Sequence, residues 1–229
     1  MVLFKINGER NSGTNFLSRL LIANNFPCYD QLIEGNIVYN WKHGIPTNDV
    51  KLKNECVVDI FIFRNLEEWL VSMSQNAYHL KRKDNFLDFL VTPQESSEVC
   101  LLDYRTNRCL NEDDNNKNIF ETRYYKLHKI FEYQKSNKNV VYVNLTYLQN
   151  EANALCFLKA LHCMYPSSQT QRNENQTYGT KIITHTKTGE KTINRVYNNI
   201  NLSDYQNIIN KYKNSDDEQF INELTFVIN

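Results

Sequence analysis

The sequence predicts a single α/β domain over residues 1–229, a three-layer, doubly wound and mostly parallel sheet. Three observations lead there. Short apolar runs alternate with amphipathic ones along most of the chain, the order expected when each strand is followed by a helix that covers it. The most apolar run, residues 57–63, is short and rich in β-branched and aromatic side chains, as a central parallel strand covered on both faces requires. Finally, Gly8-Glu9-Arg10-Asn11-Ser12-Gly13-Thr14-Asn15 separates the first apolar run from the first amphipathic one. A strand, a tight glycine-bounded loop and a helix start together aim backbone N–H groups at an anion.

Each element follows from its local pattern. Residues 2–6 form the first strand, and 15–24 a helix with Phe16, Leu17, Leu20 and Leu21 on one face, ended by Asn24-Asn25. A second strand is expected at 36–41, running into Lys42-His43-Gly44-Ile45-Pro46, where Gly and Pro force a loop and leave His43 just past a strand end. Strand 57–63 delivers Arg64 to the loop at its carboxyl end, and a helix over 66–78 carries Trp69, Leu70 and Met73. A short helix at 86–90 stops before Pro93, 99–110 suits a small hairpin around Thr106-Asn107, and 112–118 is a polar, acidic surface loop. A helix at 119–134, a buried strand at 140–144 and a helix at 147–161, with Leu148, Ala154, Leu155 and Leu158 inward, resume the alternation. Residues 166–192 form a long loop with Lys181, Lys187 and Lys191 around Gly189. Two closing helices, 202–214 and 216–226, are expected to be capped by Ser203 and Ser215.

Composition narrows the function. Lys plus Arg number 26 and Asp plus Glu 26, so no basic excess favours nonspecific nucleic-acid or membrane-surface binding, and any anion site must be local. Neither a leader-like opening nor an apolar run of about 18 residues is present, and the expectation is a cytoplasmic protein without a membrane partner. The six cysteines at 28, 56, 100, 109, 156 and 163 contain no CxxC and no histidine at ligand spacing. They read as buried or inert thiols, with no metal site.

The loop itself has the G-x4-G spacing of the ATPase P-loop, but Thr14 stands in the place of its lysine and Asn15 in that of its magnesium-holding hydroxyl. The pattern retains a phosphate cradle without ATPase chemistry. In open α/β sheets ligands bind at the carboxyl ends of strands, where the cradle, His43 and Arg64 all fall. Arg64 has a second reading, as an ordinary partner for Glu67 or Glu68.

These residues, in this order, resemble the P-loop-type sulfotransferases, which move a sulfonate from 3′-phosphoadenosine 5′-phosphosulfate (PAPS) to a hydroxyl or amine. Asn11-Ser12-Gly13-Thr14-Asn15-Phe16 matches the spacing of that family's K-S-G-T-T-W loop, and Lys42-His43-Gly44-Ile45-Pro46 resembles its K-T-H-L-P segment. Arg64-Asn65 with Ser72 eight residues after the arginine is similar to its 3′-phosphate motif. The likeness covers mainly residues 1–80, more weakly 140–161, and is to a divergent branch whose loop reads G-E-R-N-S-G-T-N. It implies a P-loop NTPase-like fold and PAPS as co-substrate without metal. His43 would be the base, and Arg10, Asn11, Ser12, Gly13, Thr14, Asn15, Phe16, Arg64 and Ser72 the nucleotide site, Phe16 facing adenine. Two departures stand out. Asn11 occupies the position of the family's loop lysine, leaving Arg10 or Lys42 to supply that charge, and Leu145 occupies that of a tyrosine at the end of the late strand. Lys187-Thr188-Gly189 matches the C-terminal R-K-G phosphate loop only roughly, which makes Lys187 a further phosphate candidate. The acceptor class suggested by the breadth of the family is a saccharide or other hydroxyl compound, bound under 80–118 and 166–192. A catalytically silent nucleotide-binding or interaction protein that keeps the fold is the alternative.

Overall fold

The computed structural model describes residues 2–29, 32–34, 37–39, 43–44, 56–75, 85–93, 102–103, 108–109, 117–166 and 200–228. The chain begins β1 (Val2–Asn7), α1 (Thr14–Ala23), β2 (Cys28–Tyr29), β3 (Leu32–Glu34), β4 (Ile37–Tyr39), β5 (Cys56–Phe63), α2 (Leu66–Gln75) and α3 (Phe86–Val91). It continues β6 (Leu102–Asp103), β7 (Arg108–Cys109), α4 (Ile119–Ser136), β8 (Val140–Asn144), α5 (Leu145–Leu148) and α6 (Glu151–Met164). A 3₁₀ turn at Leu202–Tyr205, α7 (Gln206–Lys213), α8 (Asp216–Glu223) and β9 (Phe226–Ile228) close it.

Five strands make the main sheet in the order β2-β1-β5-β8-β9, parallel except for β9, which runs antiparallel to β8. Strand β5 sits at its centre, in register with β1 (Ile6 opposite Ile60) and with β8 (Phe61 opposite Tyr142). Its alternation explains why the run looks uniformly apolar. Val58, Ile60 and Ile62 pack with Leu17 and Leu21 of α1 and Phe157 and Leu161 of α6, whereas Phe61 and Phe63 pack with Leu127 and Ile130 of α4 and Ile221 of α8. Both faces are thus covered by helices. A third apolar cluster joins Trp69 and Met73 of α2, Phe86 and Phe89 of α3, Phe120 of α4 and Ile209 of α7.

A polar cluster lies within these layers, near the end of β1. Lys5 and Asp59, register partners on β1 and β5, are both buried with 3.7 Å between Nζ and Oδ1. Asn7 donates to Asp59 Oδ1 (2.8 Å) and the Tyr133 hydroxyl to its Oδ2 (2.9 Å). Burial lowers the Lys5 pKa, and Asp59 offsets part of that effect. The carboxylate thus ties the strand end that precedes Gly8 to α4.

Several expectations need correction. The strand expected at 36–41 is β4, but it pairs antiparallel with β3 in a separate hairpin, and the place beside β1 goes to the two-residue β2. The helix expected over 147–161 is two, because the Asn150 side chain accepts from Asn153 N (3.2 Å) and starts α6 afresh. At 202–214 a 3₁₀ turn precedes α7, and its cap is Asn201 rather than Ser203, whose hydroxyl itself donates to Asn201. Ser215 does cap α8, but that helix ends at Glu223 and the chain turns into β9. Of the cysteines expected to be buried or inert, Cys56, Cys156 and Cys163 are exposed thiols and Cys28 is half-exposed, while the side chains of Cys100 and Cys109 lie outside the described residues. Within the span 99–110 expected to form a hairpin, β6 and β7 pair antiparallel, while Thr106-Asn107 lie outside the described residues. The long basic loop beyond Pro166 and most of the acidic segment 112–118 lie outside the described residues. Among the described residues no helix is long and apolar enough to cross a membrane.

Helix α4 starts from a capping box, in which the Asn118 side chain accepts from Phe120 N and Glu121 N while Glu121 accepts from Asn118 N. Asn118→Ala should cost about 1 kcal/mol, seen as a lower urea midpoint at unchanged m-value, and Asn118→Asp should restore most of it.

Candidate anion site at the carboxyl ends of β1 and β5

Strand β1 lies between β2 and β5, so the chain leaves β1 in one direction and returns on its other side. Where the strand order reverses in this way, a crevice opens outside the carboxyl ends of the two strands. The turn 8–13 follows β1 and Arg64-Asn65 follows β5, so both lie at the sheet end where such folds take their ligands.

The turn is built from its own polar groups. Ser12 N (3.2 Å) and Ser12 Oγ (2.7 Å) both donate to the Glu9 carbonyl, and Asn11 takes the left-handed backbone conformation at φ 62°, which asparagine tolerates better than most residues. Gly13, at φ 104°, caps α1 without any side-chain hydrogen bond. Helices α4, α6 and α8, by contrast, are capped by Asn118, Asn150 and Ser215. A Cβ on Gly13 would come within 2.7 Å of Leu145 Cδ1, and one on Gly8 within 2.5 Å of Ser12 Oγ and 2.7 Å of the Ile62 carbonyl. Both glycines therefore allow a close approach that no other residue permits. Ser12 and Thr14 are buried, Arg10, Asn11 and Gly13 half-buried, Asn15 exposed, and Phe16 is half-buried against the core of α1 and α6.

Other elements clamp the turn. The Trp69 indole N–H donates to the Arg10 carbonyl (2.8 Å) and the Asn11 amide contacts Met73 Sδ (2.8 Å), so the turn lies along α2. Ser72, half-buried and three residues beyond Trp69, borders the same helix face. His43 places Nδ1 at 2.9 Å from the Gly8 carbonyl. A carbonyl only accepts, so Nδ1 carries the hydrogen and the neutral ring holds its lone pair on Nε2. Asn144, at the end of β8, donates to Asn65 Oδ1 (2.6 Å) and to the Ile221 carbonyl (2.9 Å), joining the ends of β5 and β8.

Arg64 is half-buried. Neither neighbouring acid is bonded to its guanidinium: Glu67 takes Lys213 Nζ at 2.8 Å, and Glu68 accepts from Thr146 Oγ1 at 2.8 Å. Among the described residues the Arg64 side chain forms no hydrogen bond or ion pair. Burial lowers its pKa, with the charge of Glu68 offsetting part of the shift. The helix-start ion pair is therefore not made, and a desolvated cation stands at the strand end.

Beneath the turn lies a buried network that the glycine pattern does not announce. Arg123 of α4, fully buried, donates through Nη1 to Glu9, through Nε and Nη2 to both oxygens of Glu218 on α8 (3.0 Å from Nη2), and through Nη2 to the Arg64 carbonyl (2.8 Å). Its guanidinium carbon sits 4.8 Å from the Trp69 ring centroid. Burial raises the Glu9 pKa, and the charges of Arg123 and Lys126 offset part of that. For Arg123 burial acts downward, but Glu9 and Glu218 outweigh it and the pKa stands above the usual value. The signal that finds Arg123 is periodicity, since Phe120, Arg123, Leu127 and Ile130 are spaced 3, 4 and 3 residues apart, which sets an arginine on the apolar stripe of α4.

The structure thus gathers the turn, His43, Arg64 and the flank of α2 bearing Ser72 at one end of the sheet. Lys42 and Lys187 lie outside the described residues. No protein-family model, curated protein or solved structure matches the chain.

Proposed function

We propose that the chain is a sulfotransferase with a P-loop NTPase-like sulfotransferase fold, using PAPS as co-substrate and a hydroxyl or amine compound, with saccharides foremost, as acceptor. The observation that carries this reading is Arg64, a half-buried guanidinium left unbonded by both adjacent acids at the crevice where α/β sheets take their ligands. A fixed guanidinium favours a phosphate through short, often bidentate bonds. Sulfonate transfer asks of a protein mainly position and charge stabilisation around an in-line displacement. The uncapped start of α1 and Arg64 supply these, with Arg10 and Lys42 as candidates for the cation near the bridging oxygen. His43 accepts the acceptor's proton at Nε2 as the acceptor oxygen bonds sulfur and the bond from sulfur to the bridging phosphate oxygen breaks. The transferred group carries a single negative charge, so the mechanism does not call for a divalent ion.

A second reading is a catalytically silent nucleotide-binding protein, favoured by Asn11, an uncharged residue whose amide rests on Met73 where the family has its lysine. Titration calorimetry with adenosine 3′,5′-bisphosphate in excess EDTA tests the shared site, and both readings expect binding to persist. Transfer of labelled sulfonate from PAPS to a panel of saccharide and phenolic acceptors separates them. Binding that vanishes in EDTA removes the metal-free mechanism, and binding without transfer across the panel supports the silent reading.

A further inference from the structure

We propose that Arg123 is a positioning residue of the anion site, holding the two halves of the crevice in mutual register; the inference rests on the anion-site reading above. The turn and Arg64 leave different strands, and the Arg123 fork touches both, the Glu9 carboxylate through Nη1 and the Arg64 carbonyl through Nη2. It also supports Trp69, whose indole holds the Arg10 carbonyl. Glu218 grips Nε and Nη2 together and so fixes the plane of the guanidinium. Helix α8 thereby sets the geometry of a turn near the opposite end of the sequence.

Stability by itself gives little reason to bury such a triad, because well-packed apolar replacements of buried ion pairs are often neutral or stabilising. Geometry and charge give two. Only a planar fork reaches three elements at once, which a lysine's point charge does not do. Glu9, moreover, is a buried carboxylate in the floor of an anion cradle and on its own repels the ligand. Arg123, shared between Glu9 and Glu218, offsets one of their two negative charges and pins the Glu9 carboxylate to α4, and Arg64 is left to act on the anion.

Two variants test this. Arg123→Lys keeps the charge and loses the fork. The combined variant E9Q, R123M and E218Q removes all three charges at similar volume, and remains available if the lysine variant does not fold. Phe157→Leu on α6, an apolar core residue outside the charged triad, serves as a control of matched destabilisation. Two readouts are taken: affinity for adenosine 3′,5′-bisphosphate or inorganic pyrophosphate, and amide exchange in peptides 8–16 and 64–70 against 151–164. Arg123→Lys should bind the anion about tenfold more weakly, with faster exchange confined to 8–16 and 64–70; the combined variant should show the same exchange pattern, while Phe157→Leu leaves anion affinity unchanged. Wild-type affinity in folded Arg123→Lys, or exchange rising equally in 151–164 in either Arg123 variant, would overturn the positioning role. If the wild-type protein binds neither anion, the functional reading fails by itself and the exchange pattern still decides whether Arg123 holds the two halves together.

Discussion

Replacing His43 with alanine should lower turnover about 10²- to 10⁴-fold, the usual contribution of a general base, while leaving bisphosphate affinity nearly unchanged. The reason lies in the hydrogen bond from Nδ1 to the Gly8 carbonyl at 2.9 Å, which selects the tautomer with its lone pair on Nε2. The same bond braces the turn, so alanine alone would confound a base with a brace. His43→Asn separates them, because its amide can still donate to the Gly8 carbonyl but offers no basic nitrogen. If His43 is the base, asparagine is as slow as alanine, and both lose the acid limb of the rate profile, where the imidazole must shed its proton. Recovery in the asparagine variant would reassign His43 to bracing. Wild-type turnover in the alanine variant, with any working acceptor, would leave Lys42 or water as the base.

What the sequence discloses about this fold depends on how many residues carry each pattern. Strand β5 is legible because its residues, Asp59 apart, are apolar on both faces and bury best as a central strand. Helix α1 declares itself by period and by its end, Asn24-Asn25, and α4 by period alone, its Asn118 box emerging from the structure. Strand β2 has only two residues, too few to show any alternation, yet backbone pairing with β1 suffices to seat it. Strand β9 hides because Phe226 and Val227 extend the apolar spacing of α8, and only pairing with β8 makes the segment extended. The candidate site divides the same way. Its glycines, His43 and Arg64 belong to short local motifs, whereas Glu9, Arg123 and Glu218 meet only through tertiary packing. Glu218 stands in the opening turn of α8 with Asp216 and Asp217, where an acid is explained equally by the helix dipole. Nothing local distinguishes the one that turns inward.

Arg64→Ala should weaken adenosine 3′,5′-bisphosphate about 10- to 100-fold, as expected for hydrogen bonds to a charged group worth roughly 1.5–3 kcal/mol, and barely affect the 5′-monophosphate. The first point in its favour is electrostatic. Arg123 approaches the same strand end through the Arg64 carbonyl, but its charge is met by Glu9 and Glu218, so of these two guanidinium groups it is that of Arg64 that can face a ligand there. The second is steric. Ser72 lies two turns along α2, roughly 11 Å at 5.4 Å per turn, on the helix against which Trp69 and Met73 hold the turn, so a phosphate between Arg64 and the turn would lie along that helix. Arg64→Lys discriminates between charge and shape, since it keeps a cation but loses the bidentate fork, and should fall between wild type and alanine. Half-exposure leaves the interaction open to screening, so the bisphosphate preference should narrow as salt rises. Equal affinity of the wild-type protein for the two nucleotides, or an equal loss for both in Arg64→Ala, would mean that Arg64 does not read a 3′-phosphate, and the sulfotransferase proposal would lose the observation on which it rests.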